Sequence, residues 1–201
     1  MASLTETLKE TAYNNLTLSQ KGALIEAGDF LDSSEMNVML ITGSAGTGKT
    51  FLLKLLTDIL EKLEVPFQVC TPTGKSAQVL RSKGVKNAST IHSMIYAQDE
   101  IVEEVSMGDF IYFFKLKSNQ HSTNTIYLVD ESSMISDSFI EDEILRYGSG
   151  FLLKDLAYFI SPNPSNKRKF FFSGIIINYR PLIPHSPLHW IELISRICLL
   201  N

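Results

Sequence analysis

The sequence predicts an α/β fold in which helices flank a parallel sheet, and three stretches lead to that prediction. An apolar run at 38–41 passes through a glycine-rich turn into a helix with apolar periodicity over 51–63. A second strand-turn-helix unit follows over 65–80. The almost wholly apolar run at 125–129 is typical of a parallel strand buried on both faces, because such a strand has no polar side.

The composition limits the class of protein. With 201 residues, of which 44% are hydrophobic and 20% charged, we expect one globular domain of ordinary size. The net charge of −4 means that any contact with nucleic acid must come from a local basic patch. Residues 1–15 form a polar leader without the apolar core of a signal peptide, and no apolar run is long enough to span a membrane. We therefore expect a cytoplasmic protein without membrane contact.

The glycine-rich turn has the pattern G-x-x-x-x-G-K-T between a strand and a helix, as a phosphate-binding loop requires. Its glycines let backbone N–H groups turn inward around an anion, and the helix N-terminus adds partial positive charge. Lys49 is expected to reach the β- and γ-phosphates, and the Thr50 hydroxyl to bind Mg²⁺. The predicted nucleotide-binding residues of this loop are Gly43, Ser44, Ala45, Gly46, Thr47, Gly48, Lys49 and Thr50.

Three further side chains are candidates for the same site. Gln20, upstream of the loop, has an amide that can pair with an adenine edge, and an ordinary surface glutamine is the alternative. Asp130 and Glu131 directly follow the buried strand at 125–129. Ligands of open α/β sheets bind at the carboxyl ends of the strands. We therefore expect Asp130 to hold Mg²⁺ through its shell and Glu131 to polarise the attacking water, so that Lys49, Asp130 and Glu131 are the predicted catalytic residues.

A basic segment follows the second predicted strand. Between residues 71 and 90 the chain contains no acid and four cations, which are Lys75, Arg81, Lys83 and Lys86. Such a patch suits a phosphate backbone, but a solvated helix face explains the charges equally well. His92 lies in the short helix predicted after this segment and, taken alone, fits a structural role better than a functional one.

Taken in order over residues 16–172, these motifs resemble the N-terminal motor domain of superfamily 1 DNA helicases of the RecD/Dda type. The matching segments are 16–20 (the adenine-reading Q motif), 43–50 (motif I), 71–77 (motif Ia), 90–93 (motif Ib) and 128–137 (motif II). Residues 147–150 also fit a segment of some RecD-like members. Motifs I and II occur in many ATPases, whereas Ia and Ib in these forms are far more specific.

The resemblance implies a RecA-like P-loop NTPase sheet and an ATP-dependent DNA helicase that uses ATP and Mg²⁺. Such an enzyme moves along single-stranded DNA and unwinds duplexes, typically in the 5′ to 3′ direction. The resemblance also implies that Thr73, Gly74 and His92 lie along the DNA strand, and it favours the functional interpretation of the basic patch, including Lys75. Other DNA repair or recombination proteins are candidate partners.

The predicted domain boundaries follow from these matches. The motor domain, which corresponds to domain 1A of the family, is expected over residues 16–172. A small β-hairpin excursion is expected within it over 97–124, because 110–117 is dense in aromatic and β-branched residues and 118–124 carries turn residues. The acidic stretch at 98–104 is predicted to be a surface loop.

Residues after 172 depart from the family pattern. Members have a strand followed by motif III, G-D-x-x-Q-L-P-P-V, and here only the strand, at 167–172, is matched. If the third base of each codon is joined to the first two of the next, the nine junctions from Ser173/Gly174 to Pro181/Leu182 permit that motif in order. One of them, Asn178/Tyr179, can encode only Leu. We therefore hypothesise that 173–201 is an out-of-frame tail ending at a premature stop; a divergent natural tail is the alternative.

An out-of-frame tail has a mechanistic consequence. In this family the ATP site lies between two RecA-like domains, and the motif III glutamine and the arginines of the partner domain complete it. A chain truncated in this way is expected to bind nucleotide with little or no unwinding, and its apolar residues at 182–200 would lack a covering domain. Two other classes stay open: a DNA-independent small P-loop ATPase, and a nucleotide- or single-stranded-DNA-binding module without catalysis.

Overall fold

The structure is a computed structural model. It describes residues 16–34, 36–106, 109–136, 138–139, 144–161, 168–174 and 194–200, of which 98–106, 109–110 and 194–200 are described as backbone only. The polar leader predicted at 1–15 lies outside the described residues.

A six-stranded parallel sheet forms the body of the fold, in the order β3-β2-β6-β8-β1-β9. Its strands are β1 (Val38–Gly43), β2 (Phe67–Thr71), β3 (Ala88–Thr90), β6 (Ile126–Val129), β8 (Lys169–Gly174) and β9 (Ile194–Leu200). Strands β1 and β6 are the two predicted to carry the site, and β8 lies between them. Their carboxyl ends therefore meet at one edge of the sheet. The α/β fold predicted from the sequence is confirmed.

Five helices accompany the sheet in the described part of the chain. They are α1 (Leu18–Asp32), α2 (Lys49–Lys62), α3 (Gly74–Ser82), α4 (Ile91–Ile95) and α5 (Leu152–Ile160). Helix α1 begins with a capping box, in which Thr17 Oγ1 accepts from the Gln20 N–H and Gln20 Oε1 accepts from the Thr17 N–H. No helix within the described ranges is long and apolar enough to cross a membrane.

The core forms two layers because successive side chains of each strand point to opposite faces of the sheet. Met39, Val69 and Phe171 pack against α1, α2 and α3 on one face. Their chain neighbours Cys70 and Phe170 pack against α4 and α5 on the other face. Because both faces of the sheet are covered, the central strands are apolar throughout. The two core layers hold the strands, and with them their carboxyl ends, in place.

A second, three-stranded sheet holds the predicted hairpin. Strands β4 (Tyr96–Ser106) and β5 (Asp109–Leu116) pair antiparallel, and the short strand β7 (Leu145–Tyr147) adds to β5 in parallel. The surface loop predicted at 98–104 is therefore wrong, since this stretch is part of β4. Its acidic residues disfavour a strand locally, but pairing with the aromatic-rich β5 outweighs that preference. The third strand was not predicted.

Part of the predicted aberrant tail is also in the sheet. Strand β9 pairs with β1 at the edge of the sheet. That its apolar side chains lack a covering domain stays a prediction. The pairing consists of main-chain hydrogen bonds, which an exposed sheet edge offers to any segment with strand propensity. The β9 segment reads Ile-Ser-Arg-Ile-Cys-Leu-Leu and has that propensity.

Candidate functional site

The phosphate loop, residues 43–50, connects β1 to α2 and has the geometry of an anion-binding nest. Gly46 and Gly48 have φ angles of 83° and 88°, in the left-handed region that favours glycine. Gly48 is the N-cap of α2 and makes no side-chain cap hydrogen bond, so the N–H groups of the first helical turn are not taken up by a capping side chain. These donors and the helix dipole point to where a phosphate would lie.

Lys49 folds back over this loop. Its ammonium donates hydrogen bonds of 2.8 Å to both the Gly43 and the Ser44 carbonyl oxygens. Partial burial lowers the pKa of Lys49, and the nearby Asp130 carboxylate opposes that shift. The predicted phosphate-binding cation is thus held inside the loop, within reach of an anion that enters it.

Gln20 lies against the phosphate loop although 27 residues separate it from its partner there. Its Nε2 donates to the Thr47 carbonyl oxygen at 3.0 Å, while its Oε1 serves the capping box of α1. The structure places Gln20 against the phosphate loop, and its contact with a nucleotide stays a prediction. The capping box of α1 holds the Gln20 amide in this orientation.

Thr50 and Asp130 meet at the carboxyl edge of the sheet. Thr50 Oγ1 donates to Asp130 Oδ2 at 3.1 Å, across 80 residues of sequence. Asp130 is buried, and its burial raises the pKa of the carboxyl, while the hydrogen bond from Thr50 opposes the rise. A buried carboxylate beside a hydroxyl could hold Mg²⁺. This ion is usually held by one or two protein ligands together with phosphate and water oxygens.

Ser173 is a residue of this site that the sequence did not single out. It lies at the end of β8, between the strands that carry the phosphate loop and Asp130. Its hydroxyl is near enough to lower the pKa of Asp130. The Ser173 Oγ is nevertheless buried without a hydrogen bond of ordinary geometry among the described residues. Buried hydroxyls in native structures usually have such a partner.

Glu131 contacts α3. Its backbone is in the left-handed region, with φ 53°, although it is not a glycine. Its carboxylate accepts a hydrogen bond from the Ser76 hydroxyl in the first turn of α3. Backbone strain of this kind concentrates at functional sites. No local pattern predicts this contact, because the two residues lie 55 positions apart.

The predicted DNA-contacting residues follow two neighbouring strands of the sheet. Thr73 caps α3 after β2, and Gly74 and Lys75 begin that helix, with Lys75 exposed. His92 is on α4 after β3. Because β2 and β3 are parallel neighbours, these segments lie at the same edge of the sheet. The sequence could not reveal this proximity directly.

His92 and the cations of the predicted basic patch differ in burial and in their contacts within the protein. His92 is half-buried, with its ring 5.0 Å from that of Tyr147 and 5.6 Å from that of Tyr96, and burial lowers its pKa. It is therefore expected to be neutral at pH 7 and to offer an aromatic surface. Of the four predicted cations, Lys86 pairs with Glu61 at 3.0 Å and Arg81 donates to the Ala88 carbonyl at 2.8 Å. The basic patch is therefore partly engaged within the protein.

Comparisons with known proteins agree with this architecture. A family model described as an AAA domain matches residues 18–145. The ATP-dependent RecD2 DNA helicase of Deinococcus radiodurans is 28% identical over 123 residues, which cover 61% of this chain and 16% of the relative. An uncharacterised protein of Methanocaldococcus jannaschii is 31% identical over 102 residues, or 49% of this chain and 9% of the relative. The chain thus spans less than a fifth of either relative.

Among solved structures, the Pif1 helicase of Candida albicans has a similar fold. The two superpose with a TM-score of 0.52 at 18% sequence identity, over 92% of this chain and 39% of the other. At this identity the likeness concerns the fold, and it agrees with a RecA-like sheet with flanking helices.

Proposed function

We propose that this chain, which belongs to the AAA domain family and is a superfamily 1 helicase motor domain of the RecD/Dda type, binds ATP with Mg²⁺ at the phosphate loop and single-stranded DNA beside it. The observation that carries the proposal is the meeting of Lys49, Thr50 and Asp130 at one edge of the sheet. A cation, a hydroxyl and a buried acid in this arrangement are what a nucleoside triphosphate with its metal requires.

Each residue of the site has a role in this proposal. Lys49 exchanges its two loop carbonyls for oxygens of the β- and γ-phosphates. Thr50 and Asp130 would hold Mg²⁺, Asp130 through the shell of the ion, and the ion would supply positive charge to the phosphates. Gln20 pairs with the adenine, and Glu131 orients the attacking water.

Single-stranded DNA is proposed to cross the N-terminal ends of α3 and α4. Thr73, Gly74 and Lys75 supply hydroxyl, backbone and ammonium donors to phosphates. His92 supplies a ring on which a base can stack, together with the tyrosines around it. A Cβ built on Gly74 would have no heavy atom within 4 Å, so the chain there is open to a ligand.

The activity proposed for this chain alone is limited. The relatives are far longer, and in this family a second RecA-like domain is expected to supply the glutamine and arginines that complete the site. Arginine groups of this type contribute about 10³–10⁵ in rate. We therefore propose that the chain binds ATP and DNA but hydrolyses ATP slowly and unwinds little.

We further propose that residues from about 173 onward are out of frame. Motif III is permitted by nine successive codon junctions in another frame, beginning at the junction Ser173/Gly174. Sequencing the gene tests the proposal, which fails if no base insertion or deletion restores a long downstream frame.

The test of the function is steady-state ATP hydrolysis with Mg²⁺, with and without single-stranded DNA, beside binding of both ligands. Lys49→Ala should abolish nucleotide binding, whereas Lys62→Ala, an exposed lysine at the other end of α2, should not. Binding with little turnover is the expected result. Turnover that DNA does not affect would favour a DNA-independent ATPase. Binding of DNA by a chain that cannot bind ATP would favour a non-catalytic module.

The proposal also includes a cellular compartment and candidate partners. We place the chain in the cytoplasm, where its DNA substrate and other DNA repair or recombination proteins would be available as partners. Co-fractionation of the chain with chromosomal DNA at low salt, lost at high salt, tests this placement.

A further inference from the structure

The contact between Ser76 and Glu131 joins the proposed DNA surface to the proposed water-activating residue. Ser76 stands in the first turn of α3, one turn after the N-cap Thr73, and Glu131 follows β6. The Ser76 hydroxyl donates to the Glu131 carboxylate. While it does so, that carboxylate is held at the first turn of α3.

The available hydroxyl protons determine which group donates in each hydrogen bond of the Ser76 side chain. An ionised carboxylate only accepts, so the single hydroxyl proton of Ser76 is committed to Glu131. Ser76 Oγ also lies 2.7 Å from Thr73 Oγ1. The hydroxyl of Thr73 must therefore be the donor in that contact. The result is a chain of donors that runs from Thr73 through Ser76 to Glu131, in which each bond strengthens the next.

A DNA phosphate at Thr73 would compete with this chain. The Thr73 hydroxyl has one proton, and it can go to Ser76 or to a phosphate oxygen but not to both. If the phosphate takes it, Ser76 Oγ loses its donor and its bond to Glu131 weakens. The carboxylate is then freer to turn toward water at the γ-phosphate.

We propose that Ser76 is a positioning residue that couples DNA binding at Thr73 to the orientation of Glu131. The hydrogen bond from Ser76 to Glu131 and the binding of a DNA phosphate at Thr73 oppose each other. This inference rests on the proposed function. Reciprocity follows from linkage: if DNA releases Glu131, then the Ser76–Glu131 bond must weaken DNA binding by the same factor.

A purely structural role for the Ser76 hydroxyl is a weaker explanation. The cap of α3 is made by Thr73 Oγ1, which accepts from the Ser76 backbone N–H at 3.1 Å. That bond does not involve the Ser76 side chain. Ser76→Ala therefore keeps the cap and places a better helix former in the first turn, so the variant should fold.

The test measures the affinity of the full chain for a fluorescently labelled oligo(dT) strand, without nucleotide and at fixed salt. Ser76→Ala should bind about fivefold more tightly than the wild type, because Thr73 then has its proton free for a phosphate. Ser76→Thr keeps the hydroxyl and should restore the wild-type affinity. The control is Ser82→Ala at the far end of α3, where the hydroxyl donates only to the Val79 carbonyl, and it should leave the affinity unchanged.

Glu131→Gln provides the decisive background. The glutamine amide can donate as well as accept, so the Ser76 hydroxyl proton is no longer committed to residue 131 and the Thr73 hydroxyl need not donate to Ser76. Ser76→Ala should therefore have no further effect on DNA affinity in this background. An unchanged or weakened affinity for Ser76→Ala in the wild-type background, or the same gain in both backgrounds, would overturn the inference while leaving the proposed function intact. Absence of DNA binding by every variant and by the wild type would instead refute the proposed function, and this inference with it.

Discussion

The same substitution, glycine to alanine, should have opposite effects on stability at two positions. Gly48 caps α2 at the end of the phosphate loop with φ 88°, and a Cβ there would lie 2.4 Å from Gln20 Nε2. Gly22 is inside α1, and a Cβ there would have no heavy atom within 4 Å. The pair separates backbone strain and crowding from the general effect of adding a methyl group.

The expected magnitudes follow from these surroundings. A left-handed backbone costs an L-residue about 1–2 kcal/mol. Moving the Gln20 amide aside removes its hydrogen bond to the Thr47 carbonyl, which contributes about 1 kcal/mol. Gly48→Ala should therefore lower the free energy of unfolding by about 2–3 kcal/mol. Gly22→Ala should raise it by about 0.5–1 kcal/mol, because alanine restricts the unfolded chain more than glycine.

Urea denaturation followed by far-UV circular dichroism measures both changes. The midpoints of Gly48→Ala and Gly22→Ala should move in opposite directions from the wild type, with unchanged slopes. If Gly48→Ala is as stable as the wild type, the left-handed geometry of the loop is wrong. ATP binding by Gly48→Ala should also weaken, since the displaced amide belongs to the proposed adenine contact.

Two further predictions concern buried polar groups. Tyr96→Phe should cost about 2 kcal/mol of unfolding free energy, because the buried Tyr96 hydroxyl donates to Asp155 Oδ2 at 2.8 Å. Tyr158→Phe, at an exposed tyrosine of α5, should stay within about 0.5 kcal/mol, and equal losses in the two urea curves would contradict this account. Asp130→Asn should raise stability at pH 7 without Mg²⁺, because burial raises the pKa of Asp130 and the charged form is disfavoured in the folded state. The free energy of unfolding of the wild type rises as the pH falls from the raised pKa of folded Asp130 toward the ordinary Asp value. The stability difference between Asp130→Asn and the wild type should therefore shrink in acid. A difference that does not change with pH would show that the buried charge is not its cause.

The sequence predicted those parts of the fold that local pattern controls. The apolar run of β6 and the glycine spacing of the phosphate loop each have one structural solution, so their positions and the pairing of Thr50 with Asp130 could be expected. The acidic stretch at 98–104 was mispredicted because its strand structure depends on pairing with β5, which no local pattern encodes.

Other contacts between distant segments could not be predicted from the sequence. The bond from Ser76 to Glu131 depends on the left-handed backbone at Glu131, and a residue of this type usually avoids that conformation. The parallel placement of β2 beside β3 likewise brings Thr73 and His92 to one edge, although each residue alone looked ordinary.

We propose that Thr50 and Asp130 form a metal site for a nucleotide held by Lys49. The most direct measurement is calorimetric titration of ATP into the chain with and without Mg²⁺, using the wild type, Thr50→Ser and Thr50→Val. We expect Mg²⁺ to strengthen ATP binding by about tenfold or more for the wild type and Thr50→Ser, and Thr50→Val to lose this gain. ATP affinity that is the same with and without Mg²⁺, or that Thr50→Val leaves unchanged, would contradict it.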